Sequence, residues 1–183
     1  MLIYLQRLYA WARQAKIKRY MAHLESKGLF IGHDTKILEP FFIDPDHCFL
    51  IRIEGNCTLA PNVRLIAHDA STKRCLGYTR IGRITIHEGC FIGDSTIILP
   101  NTSIGPNSIV GAGSVVNKSV PPGVVAAGNP VRVICALDEY IERIADRARS
   151  RGVYGKEYRI DEITPFLVQE VLDSLADGEG YII

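Results

Sequence analysis

ITIHEGCFIGDSTIILPNTSIGPNSIVGAGSVVNK, residues 84–118, carries an aliphatic side chain every six residues, at Ile86, Ile92, Ile98, Ile104, Val110 and Val116. Two residues before each stands a second column, Ile84, Cys90, Thr96, Thr102, Ser108 and Ser114, which is mostly small. A period of six is a multiple of the two-residue alternation of a strand and does not fit a helical stripe at 3.6 residues per turn. The residues after the aliphatic ones are turn formers: Gly93-Asp94, Pro100-Asn101, Gly105-Pro106-Asn107 and Gly111-Ala112-Gly113. Each six-residue unit therefore reads as a short strand and a corner. Units of this kind bury their aliphatic side chains only by stacking, so the stretch predicts a β-solenoid. Cys57 and Cys90 fall in the small column and read as small buried hydrophobes rather than nucleophiles.

Upstream, the same spacing returns at Ile31, Ile37 and Ile43 and at Ile53, Leu59 and Leu65. Its phase slips by four residues between Ile43 and Ile53 and by three between Leu65 and Ile86. Slips of this kind mark loops thrown out of the coil, here at 44–50 and 67–80, and inserted loops tend to collect on a binding face. The second loop is where chemistry is expected.

Composition narrows the function classes. Lys and Arg number 21 against 20 Asp and Glu, so no charge excess points to nucleic acid. Five cysteines without a C-x-x-C pair suit neither a disulfide framework nor a cysteine zinc site, which favours a reducing, cytoplasmic setting. No apolar run has membrane-spanning length, and no cleavage site of a secretory signal is evident. Residues 2 to about 27 read as a helix, with Leu2, Leu5, Leu8, Tyr9 and Ala12 on an apolar stripe, Trp11 near its edge and five cations before residue 21. Packing against the solenoid or a neighbouring subunit is expected for it; peripheral contact with the inner face of an anionic membrane is the sharper alternative. After Pro130 the strand rhythm stops, and Leu137, Tyr140, Ile141, Ile144, Ala145 and Ala148 take helical spacing. Thr164-Pro165 offers an N-cap with proline at the first helical position, and Gly178 a closing residue for that second helix. Capping of the coil is the expected role of this extension.

From Ala60 onward, APNVRLIAHDAS, CFIGDSTIILPN and IVGAGSVVNKSVPPGVVAAGNPVRVI resemble the hexapeptide-repeat acyltransferases, closest to the galactoside and maltose O-acetyltransferases and those of surface-polysaccharide clusters. The resemblance implies a left-handed parallel β-helix, built as a homotrimer with acetyl-CoA between neighbours. Together with the helical spacing read at the two ends, this divides the chain into an N-terminal helix over 1–28, a β-helix acyltransferase domain over 29–134 and a C-terminal helical extension over 135–183. The resemblance further implies that His68 is the general base. Imidazole suits the task, because the acceptor hydroxyl must lose its proton near neutral pH as it attacks the thioester. By the same resemblance Ala112, Asn117, Lys118 and Arg132 match coenzyme A contacts, the two cations suiting phosphates. Asp44 or Asp46 is expected to hold acceptor hydroxyls, and no metal is expected. His47 lies in the same loop as these acids, and His87, directly after an inward Ile, reads as corner or surface. Phe91 stands where the family often has Trp, so the acceptor-facing wall is altered. Cys75 has no basic partner placed to activate it.

The implied activity is acetyl-CoA-dependent O-acetylation of a sugar hydroxyl, in the making of lipopolysaccharide, O-antigen or capsule. An amino or nucleotide sugar amine and a xenobiotic hydroxyl are alternative acceptors. Of the same fold, a γ-class carbonic anhydrase needs two histidines five apart, a spacing absent from the chain. A non-catalytic solenoid would not need His68 or the coenzyme motifs.

Overall fold

The computed structural model describes residues 2–183, with side chains at 8, 9 and from 11 onward. It divides into two compact units, 1–137 and 138–183. In the first, short parallel strands stack into three faces of a prism. The first face runs Phe30–Ile31, Ile51–Ile53, Ile84–Ile86 and Thr102–Ile104. The second runs Lys36–Ile37, Thr58–Leu59, Phe91–Ile92, Ile109–Val110 and Val124–Ala127; the third runs Phe42–Ile43, Arg64–Leu65, Ile97–Ile98 and Val115–Val116. The architecture is the expected parallel β-helix.

Strand register turns the six-residue period into three interior columns. Ile31 lies beside Ile53, Ile53 beside Ile86 and Ile86 beside Ile104. Ile37, Leu59, Ile92 and Val110 form the second column, and Ile43, Leu65, Ile98 and Val116 the third. All but Ile31 and Ile37, in the first coil, are fully buried. Each such side chain contributes roughly 1.5–3 kcal/mol of transfer free energy on leaving water.

The corners follow from local backbone chemistry. The residue three before an inward aliphatic takes a left-handed conformation at Asp34, Asn56, Asn62, Gly89, Ser95, Asn101, Asn107 and Gly113. Gly, Asn and Asp enter that region at least cost. Small side chains of the second column then satisfy buried carbonyls. Thr102 Oγ1 donates to the Leu99 carbonyl at 2.7 Å, Ser108 Oγ to that of Pro121 at 2.8 Å and the Cys90 thiol to that of Gly105 at 3.0 Å. Cys57 and Cys90 are both buried. At Gly93 a Cβ would stand 2.5 Å from the Ala112 backbone nitrogen of the next rung, so the corner accepts no side chain.

Partners are 18 residues apart between Ile86 and Ile104, but 22 apart between Ile31 and Ile53 and 33 apart between Ile53 and Ile86. The surplus residues are the two inserted loops. Both leave the same edge of the prism, where the third face turns into the first. The longer one forms a hairpin, His68–Asp69 against Arg80–Ile81, tied by an Asp69–Arg80 ion pair at 3.0 Å and bearing a short helix at Lys73–Leu76.

The N-terminal helix spans Leu2–Ser26. Its C-terminal end packs, with Leu24 buried and Met21 half-buried against the core, and mid-helix Arg13 pairs with Glu39 at 2.9 Å. Leu8, Tyr9, Ala12 and Trp11 of the expected apolar stripe are exposed, and the side chains of Leu2 and Leu5 lie outside the described residues. No described helix is long and apolar enough to cross a membrane. Past the last coil the strand rhythm does not stop at Pro130. Arg132–Ala136 folds back antiparallel on Val124–Ala127, an edge that would otherwise offer unpaired backbone groups. In the second unit, helices Leu137–Arg151 and Pro165–Ser174 accompany a parallel pair, Val153–Tyr154 with Tyr181–Ile182. Thr164 caps as expected, its Oγ1 accepting from the Leu167 amide at 3.3 Å. That helix ends at Ser174, before Gly178, because Leu175 already leaves helical geometry.

Leu65→Ala should lose about 2–5 kcal/mol of stability by opening a cavity in the third column. Arg64→Ala, on the same strand but facing out, should lose under about 1 kcal/mol. Denaturant unfolding of the two variants checks this, and equal losses would contradict the inward columns.

Candidate functional site

The two loops meet where they leave the coil. Ile43 and Leu65 are register partners, so Asp44, first residue of one loop, lies beside the start of the other. The Asp44 side chain is wholly buried and spends its oxygens there. One accepts from His68 Nδ1 at 2.5 Å and from the Ala67 amide at 3.1 Å; the other accepts from the Asp46 and His47 amides at 3.2 and 3.3 Å. Burial pushes the Asp44 carboxyl up, but the hydrogen bond and charge of His68, followed by those of His47, more than reverse this and hold it below the ordinary carboxylate range.

With Nδ1 engaged by a carboxylate, His68 is fixed in one tautomer and ring orientation, and its Nε2 has no partner among the described residues. Its side chain is one-third exposed, so that nitrogen is open to a substrate. An imidazole held in this way has the geometry that general-base chemistry requires. The expectation that Asp44 holds acceptor hydroxyls is corrected by its burial: its oxygens are taken up by three backbone amides and the His68 ring, behind which it lies. Asp46 stays exposed.

His47, only noted in the sequence, packs its ring 4.9 Å from that of His68, and its Nδ1 is buried without a hydrogen-bond partner, 3.5 Å from Asp44. Asp44, His47 and His68 offer three ligand atoms within 4.8 Å of one another. The 2.5 Å contact between His68 and Asp44 is nevertheless shorter than the roughly 3.3 Å between two ligands of one tetrahedral ion with bonds near 2.0 Å. His68 and Asp44 form a hydrogen-bonded pair. His87 turns away to Glu54, at 3.2 Å, as a corner residue. Cys75 is exposed on the longer loop.

The coenzyme candidates divide between two edges. Asn117 and Lys118 follow Val115–Val116 on the edge that also carries His68, two rungs away along the third face. At about 4.8 Å per rung that is close to 10 Å. Lys118 and Arg132 line one cleft of about 180 Å³ with Val120, Pro121 and Val131. Ala112 is exposed at the preceding edge, between the second and third faces, and is not brought to the others within one chain. Phe91 is half-exposed on the second face and does not join His68 either.

The bacterial transferase hexapeptide family (six repeats) matches residues 83–118. The chain is 35% identical over 151 residues to protein CapG of Staphylococcus aureus, covering 78% of this chain and 84% of that one. It is 35% identical to the galactoside O-acetyltransferase of Escherichia coli K12, covering 62% of this chain and 53% of the relative. Among solved structures, a maltose O-acetyltransferase from Clostridium difficile is 28% identical and superposes with a TM-score of 0.52 over 62% of this chain and 72% of its own. Repeat, prism and relatives agree, and the chain belongs to the hexapeptide-repeat acyltransferases.

Proposed function

We propose that the protein transfers the acetyl group of acetyl-CoA to a sugar hydroxyl, in the assembly of a surface polysaccharide. The observation that carries this is His68, held at Nδ1 by a buried carboxylate with Nε2 open to the acceptor. His68 takes the hydroxyl proton as the oxygen attacks the thioester carbonyl. The C–S bond then breaks, the new C–O ester bond remains, and the proton passes to the departing thiolate. Asp44 is a positioning residue, which orients the ring and stabilises the imidazolium that forms. Asp46, exposed beside the base, remains the acidic candidate for acceptor hydroxyls.

Lys118 and Arg132 are assigned to coenzyme phosphates, with Asn117 beside them. The distance of Lys118 from His68 along one edge suits a donor whose charged end and thioester lie apart. Ala112, on another edge, would serve a site completed by a neighbouring chain, which supports a homotrimer with acetyl-CoA between protomers. The names of the galactoside and maltose enzymes support a sugar hydroxyl as acceptor. The polysaccharide setting rests on the motif resemblance. A place at the inner face of the membrane would use the exposed Leu8, Tyr9 and Trp11 of the N-terminal helix.

His68→Ala should lower kcat for thiol release by about 10²- to 10⁴-fold, the usual worth of a general base, while acetyl-CoA still binds. Undiminished turnover in that variant would overturn the assignment.

Asp44 also ties stability to pH. A carboxyl whose folded pKa is depressed stabilises the fold above its unfolded pKa, near 3.9, and loses that contribution as pH falls through the folded value. The melting temperature of Asp44→Asn should therefore lie furthest below that of the unaltered protein at neutral pH and approach it below about pH 4. A gap that is constant from pH 7 to pH 3 would contradict the ionised, hydrogen-bonded carboxylate.

A further inference from the structure

The inserted loops do more than deliver His68. Immediately beyond His47, Phe49 and Leu50 turn onto the first face, and together with Phe30, Arg52, Arg83 and Thr85 they line a cleft of about 310 Å³. This volume lies at the lower end of small-ligand sites. The cleft adjoins the catalytic edge: the Phe49 ring lies 6.2 Å from that of His47, which lies 4.9 Å from that of His68.

Its lining is unusual for the outer face of a strand ladder. Two guanidinium groups and two half-exposed aromatic rings share one small concavity. The Arg52 guanidinium lies 3.8 Å over the Phe30 ring. Stacking uses the face of the guanidinium and leaves its edge for in-plane hydrogen bonds. Glu54 reaches only Nε of Arg52, at 3.5 Å, and is shared with His87 and the Glu88 amide. Arg83 has no ion-pair partner among the described residues. The aromatic rings suit the C–H face of a sugar, and the guanidinium groups that line the same cleft suit a carboxylate or phosphate. The larger cleft around Phe42 and Arg64 has a single guanidinium and lies at the edge between the second and third faces, away from His68.

We infer that this cleft is an acceptor subsite for a negatively charged sugar, with Arg52 and Arg83 holding its anionic group while a hydroxyl of the same acceptor reaches His68. The inference rests on the acyl-transfer reading of His68 and adds the class of acceptor. A uronic acid carboxylate and a sugar phosphate, free or within a nucleotide sugar, share the required chemistry.

Calorimetric titration of the full-length protein with galacturonate, galactose 1-phosphate, UDP-galactose and neutral galactose, without acetyl-CoA, tests it. At least one anionic probe should bind ten-fold or more tightly than galactose, and raising the salt concentration should erode the difference. The probe that binds identifies carboxylate or phosphate as the anion. Arg83→Ala should remove most of the preference, and Arg52→Gln, which keeps length without charge, should do the same in a protein that still melts cooperatively. The inference is overturned if no anion binds more tightly than galactose, or if both variants keep the preference. Acetyl-CoA titrated separately reports on the coenzyme reading, so loss of that reading and loss of the anion subsite give different results.

Discussion

The register between successive coils is the constraint on which everything else depends. Each inward side chain must sit on the one below it, because no single turn of the prism buries its own apolar face. Eighteen residues satisfy that condition between Ile86 and Ile104, and any surplus must leave the coil and return to the same position. Four surplus residues leave after Ile43 and fifteen after Leu65, at one edge, and both resume in register at Ile53 and Ile86. Core and site are thus set by the same rule. The columns hold the rungs at fixed spacing, and the loops that cannot fit the columns are pinned at their bases side by side.

Pinning of this kind makes a buried carboxylate tolerable. An unpaired Asp44 in that position would be costly, but its own loop turn supplies two backbone amides and the following rung a third, and His68 supplies the remaining donor. In return the carboxylate fixes the tautomer of the His68 imidazole, which is one-third open to solvent. Rigid strands support His68, and exposed loop residues surround it. This division of labour is common where rigid scaffolds carry functional loops.

The interior was almost wholly legible in the sequence, since Ile, Leu or Val stands at each of the inward positions from Ile31 to Val116 and the intervals are strict. His68 was legible through the resemblance and the second phase slip. Asp44 was misread because an acid in a loop ordinarily faces water; its role appears only once Ile43 is aligned with Leu65, which sets residue 44 against residues 66–68. The same alignment would have exposed His47 as a neighbour of the base. The strand at Arg132–Ala136 was hidden because its residues are largely exposed and carry no inward alternation. The exposure of Leu8, Tyr9 and Trp11 was equally beyond pattern reading, since an apolar stripe does not say which surface covers it.

The central claim is that one edge of the prism carries the reaction, with His68 at one rung and Lys118, for a coenzyme phosphate, two rungs away. A crystal structure of the protein soaked with coenzyme A tests it most directly. The account predicts phosphates at Lys118 and Arg132 and the thiol sulfur directed to the edge that carries His68, close to its open Nε2. A thiol that ends on another edge, remote from every copy of His68 in the assembly, would contradict it.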